Sequence, residues 1–360
     1  MTDCPTLLSL LNNSGAPDSF SLNNLNQQID EGNNLSFLLP VIYFFKNAAD
    51  LSNSGKLVKL HKTNYFRNIY ILGELKKISL ECVKYKIEPP VLLKGSAYIF
   101  KLYSDDFGYR ILSDIDLVVF DDWHKEKILK IIGDLGYGRG SKYEETYTNG
   151  KIKIDIHSEL INSNRIGWRR GLFSNMNLKK NSVKKEIDGV QYNFLSDNAD
   201  FIYCLFHNAV HHGFKNIKWI LDAFAFIKKK LVNPDEIFAE IQSLNLIDEF
   251  RFVLSCMDYN LPLDLEWKNK FQIPYKKKII VRLFSANVLE INYCQYAFNY
   301  YLMKKNERLG YVMTLLFPSK KILELKYSGK NILAAYAAHF IEIIKSAGKF
   351  CFVFSNASGK

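Results

Sequence analysis

No uninterrupted apolar stretch in this 360-residue chain reaches the length of a membrane span. The longest candidate, Ile332 to Ile344, is broken by His339 and Glu342, so no spanning helix is expected. The N-terminus lacks a positive region followed by an apolar core, and no secretory signal is expected. Cysteine is sparse, six residues with no Cys-x-x-Cys spacing, which speaks against a zinc knuckle or a disulfide framework and for reduced core thiols. His207 and His211 stand four apart on a predicted helix, yet Asn208 occupies the place where a metalloprotease motif carries its glutamate. Internal repeats and low-complexity linkers are also missing. A cytoplasmic protein is the expectation these absences leave.

What is present is ordinary in bulk and unusual in one stretch. Apolar residues make up 48% and charged residues 24%, enough for a sizeable core in a chain long enough for two compact units. Lys94-Gly95-Ser96 follows a short apolar run, Val91-Leu92-Leu93, bounded by Pro89-Pro90. Asp114-Ile115-Asp116 lies in a second strand candidate, Leu112 to Phe120, and Asp155 in a third, Lys151 to Leu160. Side chains alternate along a strand, so Asp114 and Asp116 share one face, as do Lys153, Asp155 and His157, with Ile152, Ile154 and Ile156 opposite. If the strands are neighbours, three carboxylates meet in one polar patch at the sheet edge. Such a cluster repels itself unless it holds cations, and hard oxygen donors suit Mg²⁺ or Mn²⁺. Gly95 permits close approach of a phosphate, and Ser96 opens a helix, Ala97 to Tyr103, whose first amides point at an anion. Lys94 and Arg110 are the nearby cations for phosphate oxygens. Two ions about 3.5–4 Å apart would then activate an acceptor hydroxyl and neutralise a triphosphate, with Asp114 and Asp116 bridging both and Asp155 serving the nucleophile side.

The order apolar-Gly-Ser, Asp-x-Asp, then a third strand Asp is similar to that of the polymerase-beta-like nucleotidyltransferase superfamily. Leu92-Leu93-Lys94-Gly95, Arg110, Ser113 to Val119, Gly136-Tyr137 and Ile154-Asp155-Ile156-His157 resemble a bacterial group within it, described as uncharacterised nucleotidyltransferases. Cys204-Leu205-Phe206-His207, His211 and Ile217 to Asp222 resemble that group's helical histidine and Trp-x-x-Asp signature. The likeness covers roughly residues 35–230, although Ser96 and Asp114 lie farther apart than in the compact superfamily pattern. It implies a fold and a reaction type and names no substrate.

The expected architecture is α/β (α+β), a small mixed sheet with flanking helices and a helical C-terminal region. Residues 1–34 read as a partly ordered segment with a short helix at Pro5 to Leu11. Residues 35–90 read as helical, with Leu35 to Lys46 and then Lys56 to Lys86, whose apolar face carries Ile69, Leu72, Leu75, Ile78, Cys82 and Val83. The catalytic core spans 91–195, with a second helix from Trp123 to Leu135 ended by Gly136 and a hairpin turning at Asn149-Gly150. Residues 196–360 read as helices: Asn198 to His212, Ile217 to Lys230, Pro234 to Leu244, Ile247 to Tyr259 and Lys276 to Lys305.

The reading these features support is transfer of a nucleoside monophosphate from an NTP to a hydroxyl-bearing acceptor, releasing pyrophosphate. Two rivals are a catalytically silent nucleotide- or RNA-binding module and a toxin-like enzyme that adds nucleotides to tRNA. The acceptor stays open between small molecule, sugar, peptide and tRNA, and the oligomeric state is not legible. Net charge is +11, with lysine clusters at 276–278, 304–305 and 320–321 near Tyr293, Tyr296, Tyr300 and Tyr301. Such a surface is read first as a solvated face, and next as a site for tRNA, anionic lipid or another protein. His157, His207, His211 and Asp222 are candidates to line the cleft. The bland alternatives are a polar strand position for His157, a structural role for the helical histidines, and a helix-capping or histidine-orienting role for Asp222.

Overall fold

A computed structural model describes Leu39, Pro40, Tyr43, Leu160, Tyr296, Asn299 and Tyr300, with residues 55–140, 145–158, 181–214, 216–261, 263–273, 305–327 and 329–357. The expected helices at Pro5 to Leu11, Leu35 to Lys46 and Lys276 to Lys305 fall wholly or mostly outside these residues. The described residues form two compact units. The first takes those up to Leu160, then 176–205 and 217–239; the second takes 206–216 and everything from 240 onward.

The first unit is built on a mixed seven-stranded sheet in the order β3-β4-β5-β2-β1-β7-β6. Its strands are β1 (Val91–Leu92), β2 (Ile115–Val118), β3 (Gly138–Arg139), β4 (Thr146–Thr148), β5 (Lys153–His157), β6 (Ser182–Ile187) and β7 (Val190–Leu195). β2 runs parallel to β5 and antiparallel to β1, which itself runs parallel to β7. The fold is thus the mixed α/β arrangement expected from the sequence. The three strands carrying the motif are adjacent, but they occupy the middle of the sheet and not its edge.

Strand patterning differs from expectation in one respect. β5 alternates between half-buried and buried positions, whereas all four residues of β2 are buried. Asp116 is covered because Lys94 and His157 close over its carboxylate. The β4–β5 hairpin turns where expected, with Gly150 at φ +83° and Asn149 Oδ1 accepting from the amides of Lys151 and Ile152. The β6–β7 hairpin was not anticipated, since Ser182 to Ile187 is mostly polar; its turn is Asp188-Gly189, both at positive φ. An Asp-Gly pair is a strong two-residue hairpin signal.

Helix α1 (Gly55–Lys84) runs close to its expected bounds. Its buried stripe is Asn64, Asn68, Ile71, Leu75, Ile78 and Cys82, while Ile69 and Val83 are exposed, contrary to the expected apolar face. The stripe is polar at one end because those residues hold a loop in place of a hydrophobic surface. Asn64 donates to the carbonyl of Gly108 and Asn68 to those of Phe107 and Arg110, and the Asn68 side-chain oxygen accepts from the Leu112 amide. The held loop is a short 3-10 turn, Phe107–Tyr109, and the extended residues leading into β2.

Helix α2 (Lys94–Leu102) begins two residues before Ser96, with Leu93 alone between it and β1. Helix α3 (Asp122–Asp134) is capped by the Asp121 carboxylate accepting from the His124 amide and buries Ile128, Ile131 and Ile132. Gly136 closes it at φ +85°. Helices α4 (Asp197–His212) and α5 (Ile217–Lys228) lie near their expected positions. α5 docks on α2 through residues at helical spacing: Trp219 and Phe226 each meet Tyr98 edge-on, and Asp222 accepts a hydrogen bond from Tyr103. Lys101 of α2 is buried and pairs with Asp197 and Asp200 of α4 at 2.8 and 2.7 Å. Cys82, Cys204 and Cys256 are buried and form no disulfide, and burial pushes the Cys82 thiol up to about 12.

The second unit is helical where described. Helix α6 (Pro234–Ser243) leads into it from the first unit, followed by α7 (Ile247–Asn260), α8 (Leu265–Phe271), α9 (Arg308–Leu316), α10 (Lys320–Lys326) and α11 (Ile332–Ala357). Phe250 packs between Phe206 and Phe271, and Tyr336 and His339 of α11 bond to the carbonyls of Pro318 and Leu315. Among the described residues, no helix is long and apolar enough to cross a membrane.

Asn68→Ala should be strongly destabilising, because it strands a buried amide and two carbonyls, each worth about 1–3 kcal/mol when left unsatisfied. Urea unfolding should show a loss of at least about 2 kcal/mol.

Candidate active site

Of the three sequence-singled carboxylates, Asp116 and Asp155 belong to the sheet's central strands and Asp114 stands just before one of them. Asp116 and Asp155 are directly opposed in the parallel pairing of β2 and β5, and strands so paired lie about 4.8 Å apart. Asp114 precedes β2 by one residue. Pairing in register is what puts Asp116, Asp155 and His157 on one side, since β2 and β5 advance together.

Each carboxylate has a different setting. Asp116 receives Lys94 Nζ at 2.6 Å and His157 Nε2 at 2.9 Å on the same oxygen, Oδ1. Burial alone would raise its pKa, but the Lys94 charge and the His157 bond outweigh that and hold the carboxyl well below the usual range. Asp155 is oriented by Thr146, whose hydroxyl donates to Oδ1 at 2.7 Å, and by Lys153, whose ammonium meets Oδ2 at 2.7 Å. Asp114 accepts a bond from Ser113. Burial raises its carboxyl, repulsion from Asp116 adds to this, and Ser113, Lys94 and then Asp155 contribute smaller effects of mixed sign. His157 Nδ1 is buried and finds no partner.

The Gly-Ser turn packs against the strand and loop that carry the acids. The Ser96 side chain is fully buried, and its hydroxyl accepts a hydrogen bond from the Asp116 amide at 3.0 Å. It therefore pins the strand that carries the acid. Gly95 is needed for protein packing: a Cβ there would lie 2.9 Å from Leu112 Cδ2 and 3.2 Å from Arg110 Nη1. Lys94 sits in the left-handed region, φ +51°, which costs a residue bearing a Cβ about 1–2 kcal/mol.

Arg110, expected to meet phosphate, is turned inward. It is 1% exposed and makes a bidentate pair with Asp222, with Nε 2.9 Å from Oδ1 and Nη2 2.8 Å from Oδ2. Asp222 is fully buried, so it orients an arginine in place of capping a helix or lining a cleft. His207 and His211 stack with ring centroids 4.6 Å apart, and both belong to the second unit. Thr146, the pairing of Lys153 and the clamp of Asn68 escaped sequence reasoning. Only Lys153 left a usable trace, its i−2 spacing on the face of Asp155.

Among the described residues, no group of three or more His, Cys, Asp or Glu side chains is gathered tightly enough to hold a metal ion. The reason is local. Lys94 lies on Asp116 and Lys153 on Asp155, so side-chain ammonium groups hold two of the three acids. The donor chemistry nonetheless fits a hard divalent cation. All three candidate donors are carboxylates, and Asp114 is a buried acid set against a second acid, a setting that a cation relieves.

Residues 47–262 match the family model of the uncharacterised nucleotidyltransferases. The chain belongs to this family. No curated protein and no solved structure gives a match. The family span includes α1, the whole sheet and the helices through α7, so every residue of the carboxylate cluster and of the Arg110–Asp222 pair lies inside the nucleotidyltransferase region.

Two outcomes are expected. Because folding raises the Asp114 carboxyl, the folded chain holds that proton more tightly, and stability drops as pH rises through the raised value. Asp114→Asn should therefore melt higher than the wild type at neutral pH, with the difference vanishing once the pH falls below the unfolded carboxylate range; calorimetry across pH measures it. Asp222→Ala leaves the Arg110 charge buried without its partner and should cost about 3–5 kcal/mol in denaturant unfolding.

Proposed function

We propose that this nucleotidyltransferase moves a nucleoside monophosphate from an NTP to a hydroxyl-bearing acceptor, with Asp114, Asp116 and Asp155 as its catalytic acids and Mg²⁺ or Mn²⁺ as cofactor. The reading is carried by one observation, the register that opposes Asp116 to Asp155 on adjacent parallel strands with Asp114 beside them. Three acids on or beside central strands of the sheet, two of them held by lysines, form a site already adapted to positive charge.

A divalent cation, when bound, would neutralise the triphosphate and acidify the acceptor hydroxyl. Asp114 and Asp116 would be its principal ligands, with Asp155 completing the set. The remaining steps belong to the chain. The acceptor oxygen attacks the α-phosphorus, the bond from that phosphorus to the bridging oxygen breaks, and pyrophosphate departs with the electron pair. Asp155, steadied by Thr146 and Lys153, keeps lone pairs to accept the acceptor's proton. Lys94 is placed to exchange the Asp116 carboxylate for phosphate oxygens once the nucleotide is in place. Ser96 acts by holding the Asp116 amide, and Arg110 by holding the segment before β2. These two are positioning residues in this scheme.

The test is incubation with each labelled NTP and Mg²⁺ or Mn²⁺ in a cell extract, followed by fractionation into protein, RNA and small metabolites. Label should pass to one fraction with the wild type. Asp116→Ala and Asp155→Ala should lower transfer by at least about a hundredfold while circular dichroism stays native. Transfer that persists in both variants would remove the proposed mechanism.

A further inference from the structure

A helix that packs into a core normally turns its apolar stripe inward. Two helices of the second unit do the reverse. On its packed side α11 carries Ala335, which is buried, with Tyr336 and His339 bonding to the carbonyls of Pro318 and Leu315 at 3.0 and 2.7 Å. Its other side carries Leu333, Ala337, Phe340, Ile341 and Ile344, all exposed and all within an arc of about 100°. In α9 the buried residue is Tyr311, whose hydroxyl donates to the Tyr296 carbonyl. The exposed ones are Leu309 and Met313, one turn apart, with Phe317 one turn further. Phe317 and Phe340 meet edge-on with ring centroids 5.8 Å apart, which joins the two stripes. Leu333, Leu309 and Ile344 are 79%, 73% and 70% exposed, so they protrude and do not line a groove.

Positive charge gathers in the same region. Residues 261–360 hold sixteen lysines and arginines against six acids, so all but one of the chain's net +11 charges belong to this stretch. Lys305, Lys320, Lys330 and Lys345 are exposed. Of the three acids between residues 305 and 345, Glu324 and Glu342 pair with Lys320 and Lys326 at 3.7 and 2.5 Å. We propose that the joined face of α9 and α11 docks on an anionic lipid surface, its apolar side chains entering the acyl boundary and its lysines meeting the headgroups. Apolar side chains beside basic ones are what such a surface binds. A second copy of the chain would set two positive faces against each other. RNA would satisfy the lysines and leave the aliphatic side chains in water. A protein groove would need a shape matched to protruding side chains, whereas a fluid lipid boundary accepts them as they stand. Among the described residues no helix is long and apolar enough to cross a membrane, so the attachment is peripheral. It stands apart from the nucleotidyl-transfer reading.

Flotation of the full chain with phosphatidylcholine vesicles, with and without phosphatidylglycerol, tests the proposal. The wild type should float with the anionic vesicles, less so as salt rises, and stay behind with the neutral ones. Leu333→Ser combined with Ile344→Ser should weaken anionic-vesicle binding about tenfold or more and leave the melting temperature unchanged, since both side chains already face water. Lys320→Glu combined with Lys330→Glu should weaken it to a similar degree, and this pair decides if the serine pair melts lower than the wild type. A wild type that does not float with anionic vesicles, or floats equally with neutral ones, overturns the proposal. Flotation undiminished in a natively melting serine pair also overturns it, as adsorption by charge alone. A chain that ignores both kinds of vesicle and instead self-associates or retains bulk RNA, in a way the serine pair abolishes, assigns the face to that partner and overturns it as well.

Discussion

The pair between Arg110 and Asp222 is the contact on which the arrangement of the first unit turns. Both groups are essentially removed from water, and a buried pair of this kind is tolerable only when its hydrogen bonds are nearly all made. Here the guanidinium gives a bidentate bond to the carboxylate and a further bond to the Ile111 carbonyl, and Tyr103 supplies another donor to Asp222. The partners come from residues distant in sequence, so the pair ties α5 to the loop that feeds β2. On the far side of that loop, Asn68 of α1 grips the carbonyl of the same arginine. The aspartates of β2 therefore start from a segment fastened at both flanks.

Electrostatics inside the site runs against stability. Asp114 and Asp116 are buried near each other and Asp155 stands across the strand pair, a clustering that no folding requirement explains. The protein offsets it piecemeal, with Lys94 and His157 for Asp116 and Lys153 for Asp155, and leaves Asp114 with a hydroxyl donor alone. The unevenness has a chemical sense. A site whose acids were all matched by fixed lysines would have little use for an external cation, and one with no lysines would repel itself.

Much of this was legible beforehand. The strand run Lys153 to His157 announced itself by alternation, and the succession Val91-Leu92, Asp114 to Val118 and Lys153 to His157 pointed to three neighbouring strands, which the sheet order contains. Helices α3, α4 and α5 followed from apolar spacing and the glycine at 136. Other features were hidden for definite reasons. Ser96 and Gly95 fit a phosphate-binding pattern, and no sequence rule distinguishes a glycine needed by a ligand from one needed by Leu112. Arg110 read as a cation for phosphate oxygens because its partner lies far along the chain, in another helix. Asn64 and Asn68 interrupt the apolar face of α1, and only the loop they hold explains them. The β6 strand is mostly polar, so its main clue was the turn at Asp188-Gly189.

Lys94 carries a side chain where the backbone would be more comfortable with none. β1 ends two residues before it and α2 begins with it, so its Cα has little freedom to travel. Any exchange of partners by its ammonium must then be made by the four methylenes alone. The turn is a fixed anchor with a flexible tether, whose ammonium can be repositioned while the sheet beneath it stays still.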